Sequence, residues 1–112
     1  MSTISTVKAA DAKSGALGQK YLVAGSDMAM RMWHEEAPGE AGPSHTRAYE
    51  TLGYVVSGRV ELTVDGDTVT LGAGDSWQVP KGAERSYRVL ETLTAVEATH
   101  PPARDEGDDR PS

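Results

Sequence analysis

A chain of 112 residues carrying 17 acidic and 11 basic side chains, net charge −6, reads as one domain with an acidic surface. That balance argues against nucleic acid, whose phosphates need a basic face, and the absence of cysteine removes disulfides and thiolate metal sites. No apolar run approaches the roughly 20 residues of a membrane helix, and the polar opening MSTISTVKAADAKSG lacks a signal peptide's apolar centre, so a soluble cytoplasmic protein with no membrane partner is expected.

Residues 1–20 mix Ser, Thr, Lys, Ala and Gly with little periodicity and read as a flexible arm that could carry an edge strand. Residues 21–24 read as a short strand ending at the turn cluster Gly25-Ser26-Asp27. Residues 28–35, MAMRMWHE, alternate. Met28, Met30, Met32 and His34 share one face of a strand, and Ala29, Arg31, Trp33 and Glu35 share the other. With no Phe in the chain, the Met face is the expected core face, because Met fills irregular gaps. Two Pro and two Gly in residues 36–44 make a loop.

A long strand is expected over 46–57, bent near Gly53. Strands 59–64 and 67–71 flank Asp65-Gly66, a strong hairpin signal. A two-residue turn there sets Leu62 opposite Val69 and Val60 opposite Leu71. After a turn at Gly72–Asp75, strands are expected at 76–79, 84–90 and 92–99. Residues 101–112, rich in Pro and acids, read as a disordered tail beyond a domain spanning 21–100. Many short strands with Gly and Pro turns mean an all-β sandwich or barrel.

Two stretches decide between these. Gly39 is followed after five residues by His45, and Thr51 after six residues by Gly58. Further on, Gly74, Pro80 and Gly82 keep a second spacing. Together they resemble the two motifs of the cupin family, and the resemblance covers roughly residues 28–100. It implies a jelly-roll barrel with the 36–44 loop at its mouth. In that family three histidines and one glutamate commonly hold a divalent ion. Here the first His position keeps His45, but the second holds Arg47, the Glu position holds Thr51, and the His of the second motif is replaced by Arg85. A guanidinium stays protonated and has no lone pair to give a metal, so no metal and no cofactor are expected.

Strand parity carries the rest. His45, Arg47, Thr51, Gly53 and Val55 point one way, which the resemblance makes inward. Arg85 and Tyr87 join them from the second motif, with Trp77 as a wall. Two arginines and a histidine converging in a barrel suit a small anionic molecule, since guanidinium binds carboxylate or phosphate through paired hydrogen bonds. The expected ligand-binding set is therefore His45, Arg47, Thr51, Trp77, Arg85 and Tyr87. Three alternatives stand beside it. Arg47 and Arg85 could instead pair with internal acids such as Glu97, Glu84 or Glu50. A metal-dependent enzyme could rebuild a site from His45 with His34, Glu50 or His100. The chain could also be a structural or regulatory dimer with no ligand. On the opposite face of the long strand, Leu52, Tyr54 and Val56 point outward and need a cover, from the N-terminal arm or from a second subunit. The resemblance favours the homodimer.

Overall fold

The computed structural model describes residues 4–104. Apart from one short 3-10 turn, Ala9–Asp11, the regular structure is all β. The strands are β1 (Lys13–Ser14), β2 (Lys20–Ala24), β3 (Ala29–Glu36), β4 (Glu50–Val64), β5 (Asp67–Gly72), β6 (Ser76–Val79) and β7 (Arg85–His100). They form an antiparallel sheet ordered β1-β2-β3-β7-β4-β5, with β6 also paired to β4. This is the jelly-roll barrel that the sequence implies.

Two long strands organise it. Each half of β4 meets a different partner set: Thr51–Tyr54 pairs with β6, and Arg59–Val64 with β5. The companion β7 runs alongside both halves, with its register shifting between Val55 and Val60 of β4. Such irregularities bend a strand and increase its twist. Gly58 makes the bend feasible. Its φ is +91°, and a β-carbon there would sit 2.0 Å from the Thr92 carbonyl oxygen. The bend was expected near Gly53, and two strands were expected over 84–90 and 92–99. Instead the bend lies at Gly58, and β7 is continuous: Glu91 pairs with Arg59, and residues 92–93 are absorbed by the bulged pairing rather than by a turn.

The hairpin follows the expected register, Val60 opposite Leu71 and Leu62 opposite Val69. Asp65 and Gly66 both take positive φ, 48° and 90°, the conformation of a type I′ turn. The Asp65 carboxylate then accepts the Glu84 N–H at 2.9 Å, tying the hairpin tip to the start of β7. Val55, Val60, Leu62, Leu71, Val79, Ala83, Leu93 and Ala95 form the buried core. Each Val or Leu among them contributes on the order of 1.5–3 kcal/mol when fully buried, which is how a chain without Phe fills its interior.

β3 corrects one expectation. Its Met face is the outer face: Met28 and Met30 are exposed, while Ala29 and Arg31 are buried. Parity was legible, but hydropathy favoured the wrong side. Arg31 goes inward because an acid 66 residues away meets it there. At the ends, β1 pairs with β2 as an edge strand. Ala103 is buried, with its N–H donating to Thr99 Oγ1 at 2.8 Å, and Arg104 donates to the Gly25 carbonyl at 2.7 Å. The remainder of the segment read as a tail, 105–112, lies outside the described residues, as do residues 1–3 of the arm.

Candidate functional site

The two motif segments meet side by side. His45 and Arg85 exchange both backbone hydrogen bonds, at 2.9 and 2.8 Å, and the Gly82 N–H donates to the Arg47 carbonyl at 3.0 Å. Gly82 has a φ of +82°, so the turn that presents this N–H needs a residue free of a β-carbon. The 36–44 loop is held against the same strand by Gly39 and Gly42, whose N–H groups donate to the carbonyls of Val89 and Tyr87.

Beneath that loop is a cavity of about 430 Å³. Its polar wall holds His45 and Arg47, with Glu36 and Glu40 on the same lining. Its apolar wall includes Trp33, Trp77, Tyr87, Val60, Val89 and Leu93. Of the six residues expected to bind a ligand, His45, Arg47, Trp77 and Tyr87 line this cavity. Thr51 and Arg85 do not. Thr51 is fully buried, and its Oγ1 has no hydrogen-bond partner. Arg85, 2% exposed, turns its guanidinium onto the backbone, donating to Ala83 O at 3.2 Å and Pro80 O at 2.9 Å. Burial pulls its pKa below the usual arginine range, yet a guanidinium there is still a cation.

The electrostatics of the interior are lopsided. Among the described residues three arginines are buried, Arg31, Arg47 and Arg85, against one buried carboxylate, Glu97. Arg31 takes that carboxylate, with Nε 2.9 Å from Glu97 Oε1. Its guanidinium also lies 5.2 Å from the Tyr49 ring centroid and 5.8 Å from that of Trp33, within cation–π range. Arg47, 5% exposed, donates Nη1 to the Thr46 carbonyl at 3.0 Å, and no described carboxylate forms an ion pair with it. The interior thus carries an excess of two positive charges inside a chain of net charge −6. Pairing of Arg47 or Arg85 with Glu84 or Glu50, considered from the sequence, is not what the fold makes: Glu84 accepts from Ser44 and Glu50 from Gln78, both at the surface.

His45 sits beside Arg47 as a neutral ring. Burial pushes its pKa below 6.5, and the charges of Arg47, Arg85 and Arg31 push the same way, while the bond to the Pro43 carbonyl opposes them. That bond, Nδ1 to Pro43 O at 3.0 Å, places the proton of the neutral ring on Nδ1 and leaves Nε2 as an acceptor. Tyr87 is driven the other way. Burial, then the charge of Glu97, raises its phenol well above the usual range, against a smaller opposing effect of Trp77, so it stays protonated. The rings of Trp77 and Tyr87 meet edge to face, centroids 6.4 Å apart. The indole N–H of Trp77 is buried without a hydrogen bond of good geometry.

Gly53 seats Trp77. The two are register partners across β4 and β6, and a β-carbon on Gly53 would lie 2.2 Å from Cζ2 of the indole. Sequence reasoning found Trp77 but missed Trp33, because it turned β3 the wrong way out. It also missed Leu17, an arm residue that reaches the cavity.

The sequence matches the family described as "Cupin domain" over residues 32–99, more than half the chain, and the protein belongs to that family. No curated protein sequence matches it. Among solved structures it is similar to an RmlC-like cupin from Shewanella frigidimarina, 18% identical, with 88% of this chain and 92% of that one covered at a TM-score of 0.75. It is also similar to the polyketide cyclase RemF from Streptomyces resistomycificus (16% identity, 88% and 80% coverage, TM-score 0.73). A third likeness is to KdgF from Halomonas sp. (20% identity, 75% and 77% coverage, TM-score 0.66). At these identities the likeness is one of fold, and fold does not carry function with it.

The residues present do not fit the divalent ion common in the family. Its four ligand positions hold His45, Arg47, Thr51 and Arg85, and two guanidiniums repel a cation. The substitutes fare no better. His34, Glu50 and His100 are exposed and do not line the cavity, and His100 Nδ1 is bonded to the Asp27 carbonyl. No three His, Asp or Glu among the described residues are grouped so as to hold a metal ion.

Proposed function

We propose that this cupin binds a small anionic molecule in its barrel cavity without a metal, with Arg47 as the anchor and His45 beside it. The observation that carries this is the buried, unpaired guanidinium of Arg47 on the cavity wall. A buried charge is costly unless a counter-charge and hydrogen bonds offset its lost hydration. An anion supplies both, through charge-assisted and often bidentate bonds. Neutral His45 adds one acceptor for a hydroxyl or N–H on the same ligand.

The test is thermal unfolding of the purified protein across a panel of small carboxylates and phosphates, repeated with Arg47→Gln. A ligand present at about 100 times its Kd stabilises the fold by about 2.7 kcal/mol. The expected result is a clear rise in Tm with at least one anion and loss of that rise in the folded variant. Equal shifts in the wild type and Arg47→Gln contradict the reading.

A further inference from the structure

The cavity's lining says more about the ligand than its sign. Resting on the reading that Arg47 anchors an anion, we propose that the ligand is a flat aromatic monocarboxylate, its ring system packed against Trp33, Trp77 and Tyr87.

One negative charge follows from the donors available. Arg47 is the arginine on the cavity lining, since Arg85 is spent on the Ala83 and Pro80 carbonyls and Arg31 on Glu97. A single planar guanidinium satisfies a single carboxylate through two parallel hydrogen bonds. A phosphate dianion or a dicarboxylate brings a second charge with no second guanidinium to receive it. Glu36 and Glu40, on the same lining, repel that second charge.

An apolar body follows from the rest of the wall. Val60, Val89, Leu93 and Ala95 offer no hydrogen bonds, so the several hydroxyls of a sugar acid lose their water there without replacement. Flatness follows from the rings. The chain has two Trp, four Tyr and no Phe, and both Trp and one Tyr are on this one cavity. Trp77 is held in place at a cost to β4: glycine weakens a strand interior, yet Gly53 is needed beneath the indole. Aromatic walls locked in position favour a planar partner over a puckered one of equal size. A cavity of about 430 Å³ falls within the range of small-molecule sites and suits a bicyclic acid.

Calorimetric titration of the full chain with four probes tests this: naphthoate, its saturated analogue decahydronaphthoate, the neutral naphthylmethanol, and inorganic phosphate. Naphthoate is expected to bind at least about 10-fold tighter than each of the others, about 1.4 kcal/mol. Trp77→Leu, checked for folding by circular dichroism, is expected to erase the preference for naphthoate over decahydronaphthoate. Decahydronaphthoate binding as tightly as naphthoate overturns the aromatic assignment, and phosphate or naphthylmethanol doing so overturns the monocarboxylate. Either result leaves an anion site at Arg47 open to its own test. Binding of none of the four overturns this inference, and the Arg47→Gln comparison over the wider panel then decides whether the anion site falls with it.

Discussion

At the scale of single residues, the site rests on groups whose neighbours are dictated by sequence-distant chain. His45 is the titrating one. Its folded pKa lies below 6.5, so the stability tied to its neutral form is complete above that pH and is lost as the pH falls through the folded value. An anion bound between His45 and Arg47 favours the imidazolium and moves the pKa back up. Anion binding measured below about pH 6.5 is therefore accompanied by proton uptake, seen as a dependence of the calorimetric heat on buffer ionisation enthalpy. His45→Gln is expected to abolish that uptake. Its persistence in the variant would contradict the assignment to His45. The glycines make a second prediction. Gly58→Ala puts a β-carbon onto the Thr92 carbonyl at a φ of +91°, and the dihedral alone costs about 1–3 kcal/mol. In a domain of this size each kcal/mol lowers Tm by about 4–8 °C. Gly53→Ala acts on the site instead. Its β-carbon displaces Trp77, so tryptophan emission is expected to shift and anion binding to weaken, with a smaller change in Tm than Gly58→Ala.

At the scale of elements, the outer face of β3, β7 and β4 carries its own prediction. Register places Met30, Ala98 and Leu52 in one row and Met32, Val96 and Tyr54 in the next. Leu52, Tyr54 and Val56 are 53%, 47% and 51% exposed, and Met30 is 41% exposed. The described part of the arm does not cover them, and its own Ile4, Val7 and Leu17 are exposed. A contiguous apolar sheet face of this kind marks a contact site, and a second copy across a two-fold axis is the simplest cover. Light scattering at micromolar concentration is expected to give a dimer that Tyr54→Glu converts to monomer with the fold kept. A wild-type mass near 11.9 kDa contradicts it. Much of this scale was legible in the sequence. The Asp65-Gly66 turn fixed its hairpin, and alternation sorted Thr51, Val55, Leu52 and Tyr54 onto their faces. β3 was not legible. Alternation gives two faces without saying which is inside, and the pair that decides, Arg31 with Glu97, joins strands 66 residues apart. The same limit hid Trp33. It also left Arg85 expected in the cavity, because parity gives the side of a strand and not where a long side chain ends.

At the scale of the molecule, the described residues put a positive excess in the interior of a chain of net charge −6. That arrangement is the reverse of what a cation site needs. Arg31 is neutralised by Glu97, Arg85 is screened by carbonyls, and Arg47 is left facing the cavity. Swapping the charges back makes a further prediction. A triple variant, Arg47→His, Thr51→Glu and Arg85→His, adds three potential ligands to His45, making four, and a divalent ion is expected to bind it while leaving the wild type unbound. Whether the interior selects anions in place of a metal is decided most simply by elemental analysis of the wild-type protein after dialysis at neutral pH. Far less than one first-row metal ion per chain is expected. About one ion per chain, retained through dialysis and lost in His45→Ala, would contradict it.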